Sequence, residues 1–156
     1  MAKEQDNNQS ISFKLERYKS ILQEIHSLNE NVHRYLTLYQ TLATTIIGAG
    51  ILVFVNWKGL GITSDLAKVG IQALVGMLVI LSIFIIIQIV AGILSWLDYR
   101  DEEVKLLDEV VRNGYRYPSK ISNFWRWSET YFILFILVIA IFISIYTETN
   151  IIPRIK

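Results

Sequence analysis

Long uncharged apolar stretches alternate along this chain with charged, amphipathic ones. Residues 35–57, 69–97 and 130–147 contain no Asp, Glu, Lys, Arg or His. A bilayer core is crossed by roughly 20 mostly apolar helical residues. The first two stretches meet that length. The third, about 18 residues, is lengthened by Phe124, Trp125 and Trp127 ahead of it. The pattern predicts an all-α integral membrane protein with three transmembrane helices, at 35–57, 69–97 and 129–148.

The flanking segments carry a helical period of their own. Ile11, Leu15, Tyr18, Leu22, Ile25, Asn29, Val32 and Leu36 recur at alternating spacings of four and three, a heptad seam with one polar member. A lone Asn in such a seam often fixes register or oligomer state. Residues 1–11 are polar and read as disordered, with an amphipathic helix over 12–34. No Gly or Pro separates it from the first span, so one helix of roughly 65–70 Å is expected from about residue 12 to 56. A flat helix on the membrane surface, kinked near Arg34, is the other reading.

The second span also overruns its apolar stretch. Ser64 is a candidate N-cap. After Leu97, residues Val104, Leu107, Val110 and Val111 line one face, and Asn113-Gly114 is a stop signal. The extension 98–113 is expected to pack antiparallel on 12–34, forming a stalk outside the membrane. The acids Asp98, Asp101, Glu102, Glu103, Asp108 and Glu109 read as its solvated face. Gly59 and Gly61 open the short loop 58–68, Pro118 breaks the segment 114–128, and 149–156 is a tail.

Charge sets the orientation. Lys3, Lys14, Arg17, Lys19 and Arg34 precede the first span, and Arg100, Lys105, Arg112, Arg116, Lys120 and Arg126 follow the second. Only Lys58, Lys68, Arg154 and Lys156 fall on the other side. The positive-inside rule puts the N-terminus and 98–128 in the cytoplasm and the C-terminus outside a cell's inner (plasma) membrane. The polar N-terminus is not a secretory signal peptide, which leaves 35–57 as an uncleaved anchor. Hydrophobic residues make up 53% and charged residues 19%. The mean hydropathy of +0.39 is high for a soluble domain. The net charge of +1 exerts no general pull toward nucleic acid, and the lack of cysteine excludes disulfides and thiolate metal sites.

Within the spans, polar and small residues are placed unevenly. Thr37, Gln40, Thr41, Thr44 and Gly48 share a face of the first span, and Gln88, Gly92 and Ser95 lie toward the same end of the second. Counted from Tyr35 and Leu97, Thr44 and Gln88 both lie roughly 14 Å deep, and Gln40 and Gly92 roughly 7–8 Å. These residues are expected to face each other or a common axis. They serve either as close-packing glue between helices or as the polar lining of a narrow pore. Arg116, Lys120, Trp125, Arg126 and Trp127 form an aromatic-basic belt beside the third span. This belt suits lipid headgroups better than stacking on single-stranded nucleic acid.

Other chemistry is thin. No Asp, Glu, Lys, Arg or His lies inside a span, as a proton relay or voltage sensor usually requires. Glu30 and His33 form a single E-x-x-H, with His26 nearby, and Asp98, Asp101 or Glu102 are the available carboxylates. Bundle di-metal sites need the motif twice, so solvated histidines are the simpler reading and no metal is assigned. No nucleophile elbow or phosphate-cradling loop is present, and no catalytic residue or cofactor is expected. The layout is similar to that of small multi-span bacterial membrane effectors, in architecture and not in motif. The expected function is a non-enzymatic homo-oligomer that alters membrane permeability under control of its cytoplasmic helices. The alternative is a scaffold recruiting a cytoplasmic protein through the 12–34 and 98–113 helices, and Leu15, Tyr18, Leu22, Ile25, Asn29 and Val32 are the expected oligomer or partner seam. Bilayer lipid is the other expected partner, and nucleic acid is not.

Overall fold

A computed structural model describes residues 2–111, 114–119 and 121–155. They are mostly helical, with no strand among the described residues. Helix α1 spans Ala2–Asn56, α2 spans Ser64–Val110 and α3 spans Ser128–Tyr146. Three helical stretches are long and apolar enough to cross a membrane: Ser10–Asn56, Ser64–Val110 and Ser128–Arg154. Helix α1 starts ahead of the expected residue 12, because its first residues include good helix formers and neither Gly nor Pro.

The breaks between helices have local causes. After Asn56 the chain turns through Gly61, which takes a φ of +67° that side chains with a Cβ avoid. The Ile62 N–H donates to the Trp57 carbonyl across this turn. Thr63, not Ser64, caps α2: its Oγ1 accepts from the Leu66 N–H at 3.3 Å. At the far end of α2, Gly114 takes a φ of +76°, and its N–H donates to Asp108 Oδ1 at 2.9 Å. The expected stop is therefore where the helix ends, although Asn113 itself lies outside the described residues. A 3-10 turn, Ile121–Arg126, leads into α3.

The chain divides into two compact units. The first comprises Met1–His33 and Val90–Trp127. In it Lys14 pairs with Glu109 at 3.4 Å, and Arg17 donates to Glu102 at 2.9 Å. Partners fall in number along α2 as they rise along α1, so the two segments run antiparallel. Ile21, Ile25 and Val32 of α1 and Val104 of α2 are buried here.

The second unit comprises Arg34–Ile89 and Ser128–Lys156. Its α2 segment buries Ala67, Ile71, Leu78, Ser82, Ile85 and Ile89, a heptad-like stripe. Tyr39 and Ala43 of α1 and Thr130, Ile136 and Ala140 of α3 are also buried. Most other large apolar side chains face outward, among them Leu52, Ile80, Ile83 and Phe142. The 149–156 segment is more than a loose tail. A π turn, Thr147–Ile151, and a 3-10 turn, Ile152–Arg154, extend α3. They bring buried Ile155 against Ala67 and Ile71.

Candidate functional site

The second unit sorts its polar groups onto two faces of α1. Inward, the Tyr39 and Ser82 hydroxyls meet at 3.2 Å, and Ser82 also donates to the Leu78 carbonyl at 2.8 Å. This buried pair fixes the level of α1 against α2. It carries no motif; its only sequence signal is that Tyr39 and Ser82 fall on the apolar stripes of their helices.

Outward lies the stripe singled out from the sequence. Thr37, Gln40, Thr41, Thr44 and Gly48 are all exposed. The expected meeting of Thr44 with Gln88 does not occur. Thr45 and Ile46 border the same hollow as Met77, Ile80 and Phe84, so Gln88 lies at another level. The depth count assumed that both uncharged stretches begin at one height. Apolar packing and the Tyr39–Ser82 pair set a different register. Gln88 is half-buried. Gly92 and Ser95, also half-buried, belong to the first unit.

The stripe's hydroxyls are not all used alike. Thr41 Oγ1 donates to the Thr37 carbonyl and Thr45 Oγ1 to the Thr41 carbonyl, each at 2.9 Å. Such bonds to the preceding turn let a threonine face an apolar medium. Gln40 and Thr44 have no hydrogen-bond partner among the described residues. Both border an open groove between α1 and α3, walled by Tyr39, Tyr131, Phe132 and Phe135. An amide left unpaired in hydrocarbon costs a few kcal/mol, roughly 2 or more.

In the first unit, the seam takes a different phase from the one expected. Ile25 and Val32 are buried and Tyr18 is half-buried, but Leu15, Leu22 and Asn29 are exposed. Ile21 and Leu28 occupy the places expected for Leu22 and Asn29. Two neighbouring phases both carry apolar residues here, and tertiary packing selects the one that excludes Asn29.

The larger correction concerns Glu103. Its side chain is 0% exposed and is not part of a solvated face. Arg100 Nη1 donates to one carboxylate oxygen at 2.6 Å and Arg116 Nη1 to the other at 2.8 Å. The Arg100 guanidinium lies over the Trp96 ring, 5.1 Å from its centre, and Trp96 meets Trp127 edge-on at 5.8 Å. Trp127 in turn meets Phe124 at 6.1 Å. Of the expected headgroup residues, Arg116 and Trp127 thus take part in this cluster. Trp125 and Arg126 are exposed, and Lys120 lies outside the described residues.

His26 Nε2 lies 3.3 Å from Glu30 Oε1, both groups being exposed. No group of three His, Asp or Glu side chains able to hold a metal gathers among the described residues. Glu102 is taken by Arg17 and Asp101 by Lys105. The Asp101 hydrogen bond raises the pKa of Lys105 above its usual value. Comparison with protein families, curated proteins and solved structures finds no match to this chain.

Proposed function

We propose that this chain is an integral membrane protein that works as a homo-oligomer. In this reading the Gln40–Thr44 face of each copy meets the same face of its neighbours, and the assembly alters membrane permeability. The observation that carries the reading is the outward, unpartnered pair Gln40 and Thr44 on a membrane-length helix. An amide has both a donor and an acceptor, so two copies of this face complement each other. In hydrocarbon that pairing relieves the desolvation cost each copy bears alone. Copies arranged around an axis would line it with uncharged polar groups, a composition that channel walls use. The outward apolar residues of the same unit then face lipid. The charge distribution orients the N-terminus to the cytoplasm and the C-terminus to the exterior of an inner membrane.

The test combines copy number with leakage. Purified full-length protein should register as more than one copy by mass photometry, and its reconstitution should release a vesicle-trapped dye. The double variant Gln40→Leu with Thr44→Val should lower both. A strictly monomeric protein, or leakage indifferent to the double variant, would sink the reading.

A scaffold function is the second reading. It is favoured by the exposure of Ile11, Leu15 and Leu22 along one face of α1 in the first unit, an apolar stripe suited to a protein partner. Deleting residues 1–34 should then abolish capture of that partner while leaving dye retention unchanged.

A further inference from the structure

Around the 3-10 turn Ile121–Arg126 the aromatic side chains differ in exposure, Phe124 and Trp127 being half-buried and Trp125 exposed. Phe124 and Trp127 are three residues apart, hence on one edge of a helix with three residues per turn. That edge is the one turned into the Trp96 cluster. Trp125 meets the Phe124 ring edge-on at 6.3 Å but is itself 67% exposed, and Tyr115 and Tyr117 upstream are 65% and 85% exposed. The arginines of this region are sorted as well. The buried carboxylate of Glu103 pairs with both Arg100 and Arg116 and offsets one of their two charges. Arg126 is exposed and has no acidic partner among the described residues. The Glu103 cluster therefore holds one edge of the segment and leaves an outer surface at Trp125 and Arg126, with Tyr115 and Tyr117 exposed upstream.

We propose that this outer surface, centred on Trp125 and Arg126, binds the headgroups of anionic phospholipids at the edge of the bilayer. Trp and Tyr rings favour the headgroup level, apolar at one end and wet at the other. A guanidinium matches a phosphate with two parallel hydrogen bonds, which an ammonium does not. Arg126 is followed within a few residues by Ser128, the start of a membrane-length helix. That tether holds the surface beside a membrane at every moment, an advantage that nucleic acid, which would use the same stacking and charge, does not share. The unbalanced charge of Arg126 selects anionic over zwitterionic lipid. The inference rests on the reading of α3 as a membrane helix and is independent of oligomerisation or leakage.

The experiment uses the full-length protein in POPC vesicles with and without POPG. Tryptophan quenching by brominated POPG and by brominated POPC is compared for the wild type and Trp125→Phe, so that the difference isolates Trp125. Native mass spectrometry counts the POPG retained by the wild type, Arg126→Gln and Arg126→Lys. Trp125 should be quenched more strongly by brominated POPG. Arg126→Gln should lower POPG retention about fivefold, the effect of one juxtamembrane cation, and Arg126→Lys should restore part of it. Equal quenching by the two lipids, or retention indifferent to Arg126→Gln, overturns the proposal. So would loss of single-stranded RNA binding in Arg126→Gln with POPG retention unchanged. An alkaline wash separates the underlying reading: protein released by the wash defeats membrane insertion itself, whereas protein that stays but fails the lipid comparison defeats only the headgroup surface. Both arginine variants replace an exposed side chain, and an unchanged melting temperature confirms that they fold.

Discussion

The Glu103 carboxylate is enclosed by Arg100 and Arg116 although its neighbours Glu102 and Lys105 face outward. A buried carboxylate is tolerated only when paired and hydrogen-bonded, and both of its oxygens are. The two arginines are unequal. Arg100 is largely covered and lies over Trp96, while Arg116 is nearly half exposed to screening solvent. Arg100→Ala should therefore lower stability by about 3 kcal/mol, and Arg116→Ala by about 1 kcal/mol or less. Chemical denaturation in detergent, followed by tryptophan fluorescence, measures both; equal losses would mean the carboxylate is more hydrated than its burial implies. The Tyr39–Ser82 pair calls for a smaller effect. Tyr39→Phe removes one side of a hydrogen bond in a membrane-length helix and should cost about 0.6 kcal/mol.

At the scale of the helix, the question is which stripe of α1 turns inward. The sequence offers two adjacent heptad phases that share Tyr18, Ile25 and Val32. One continues through Leu22 and Asn29, the other through Ile21 and Leu28, and the second is the buried one. Ile21 is fully buried and Leu22 is exposed. Ile21→Ala should cost about 3 kcal/mol and Leu22→Ala about 0.5 kcal/mol or less. Thermal melts of the two variants decide the phase, and a reversed order would restore the Asn29 seam. The ion pairs Lys14–Glu109 and Arg17–Glu102 are exposed. They set the antiparallel direction more than the stability, so Arg17→Gln should cost about 1 kcal/mol or less, an effect that fades at high salt.

For the whole molecule, the proposed function turns on surfaces a single copy leaves open. Away from its charged ends the outer side of the second unit is largely apolar, and Gln40 and Thr44 of the α1 stripe lack partners there. Copy number is the decisive quantity, because a polar stripe lines an axis only if several copies share one. The proposed orientation is tested by a periplasmic reporter fused after Lys156, which should be active in a bacterial host. A signal from a cytoplasmic reporter at the same place would reverse the topology. Ile155 packs against Ala67 and Ile71, so a flexible linker before the reporter keeps that contact.

The sequence by itself determined that the chain is helical, where its helices break, and that three of them are long and apolar enough for a membrane. These properties are local: an uncharged run sets a length, and Gly61 and Gly114 stop helices through their own backbone preference. Only the tertiary structure decided which faces turn inward, the level at which α1 meets α2, and the burial of Glu103. Each of those depends on a partner distant in sequence. Two neighbouring apolar phases differ little in hydrophobicity, so packing against another helix chooses between them. A depth counted from the end of an uncharged run cannot anticipate a hydroxyl pair such as Tyr39–Ser82. An acid in a charged run reads as solvated until two arginines and a tryptophan are brought around it.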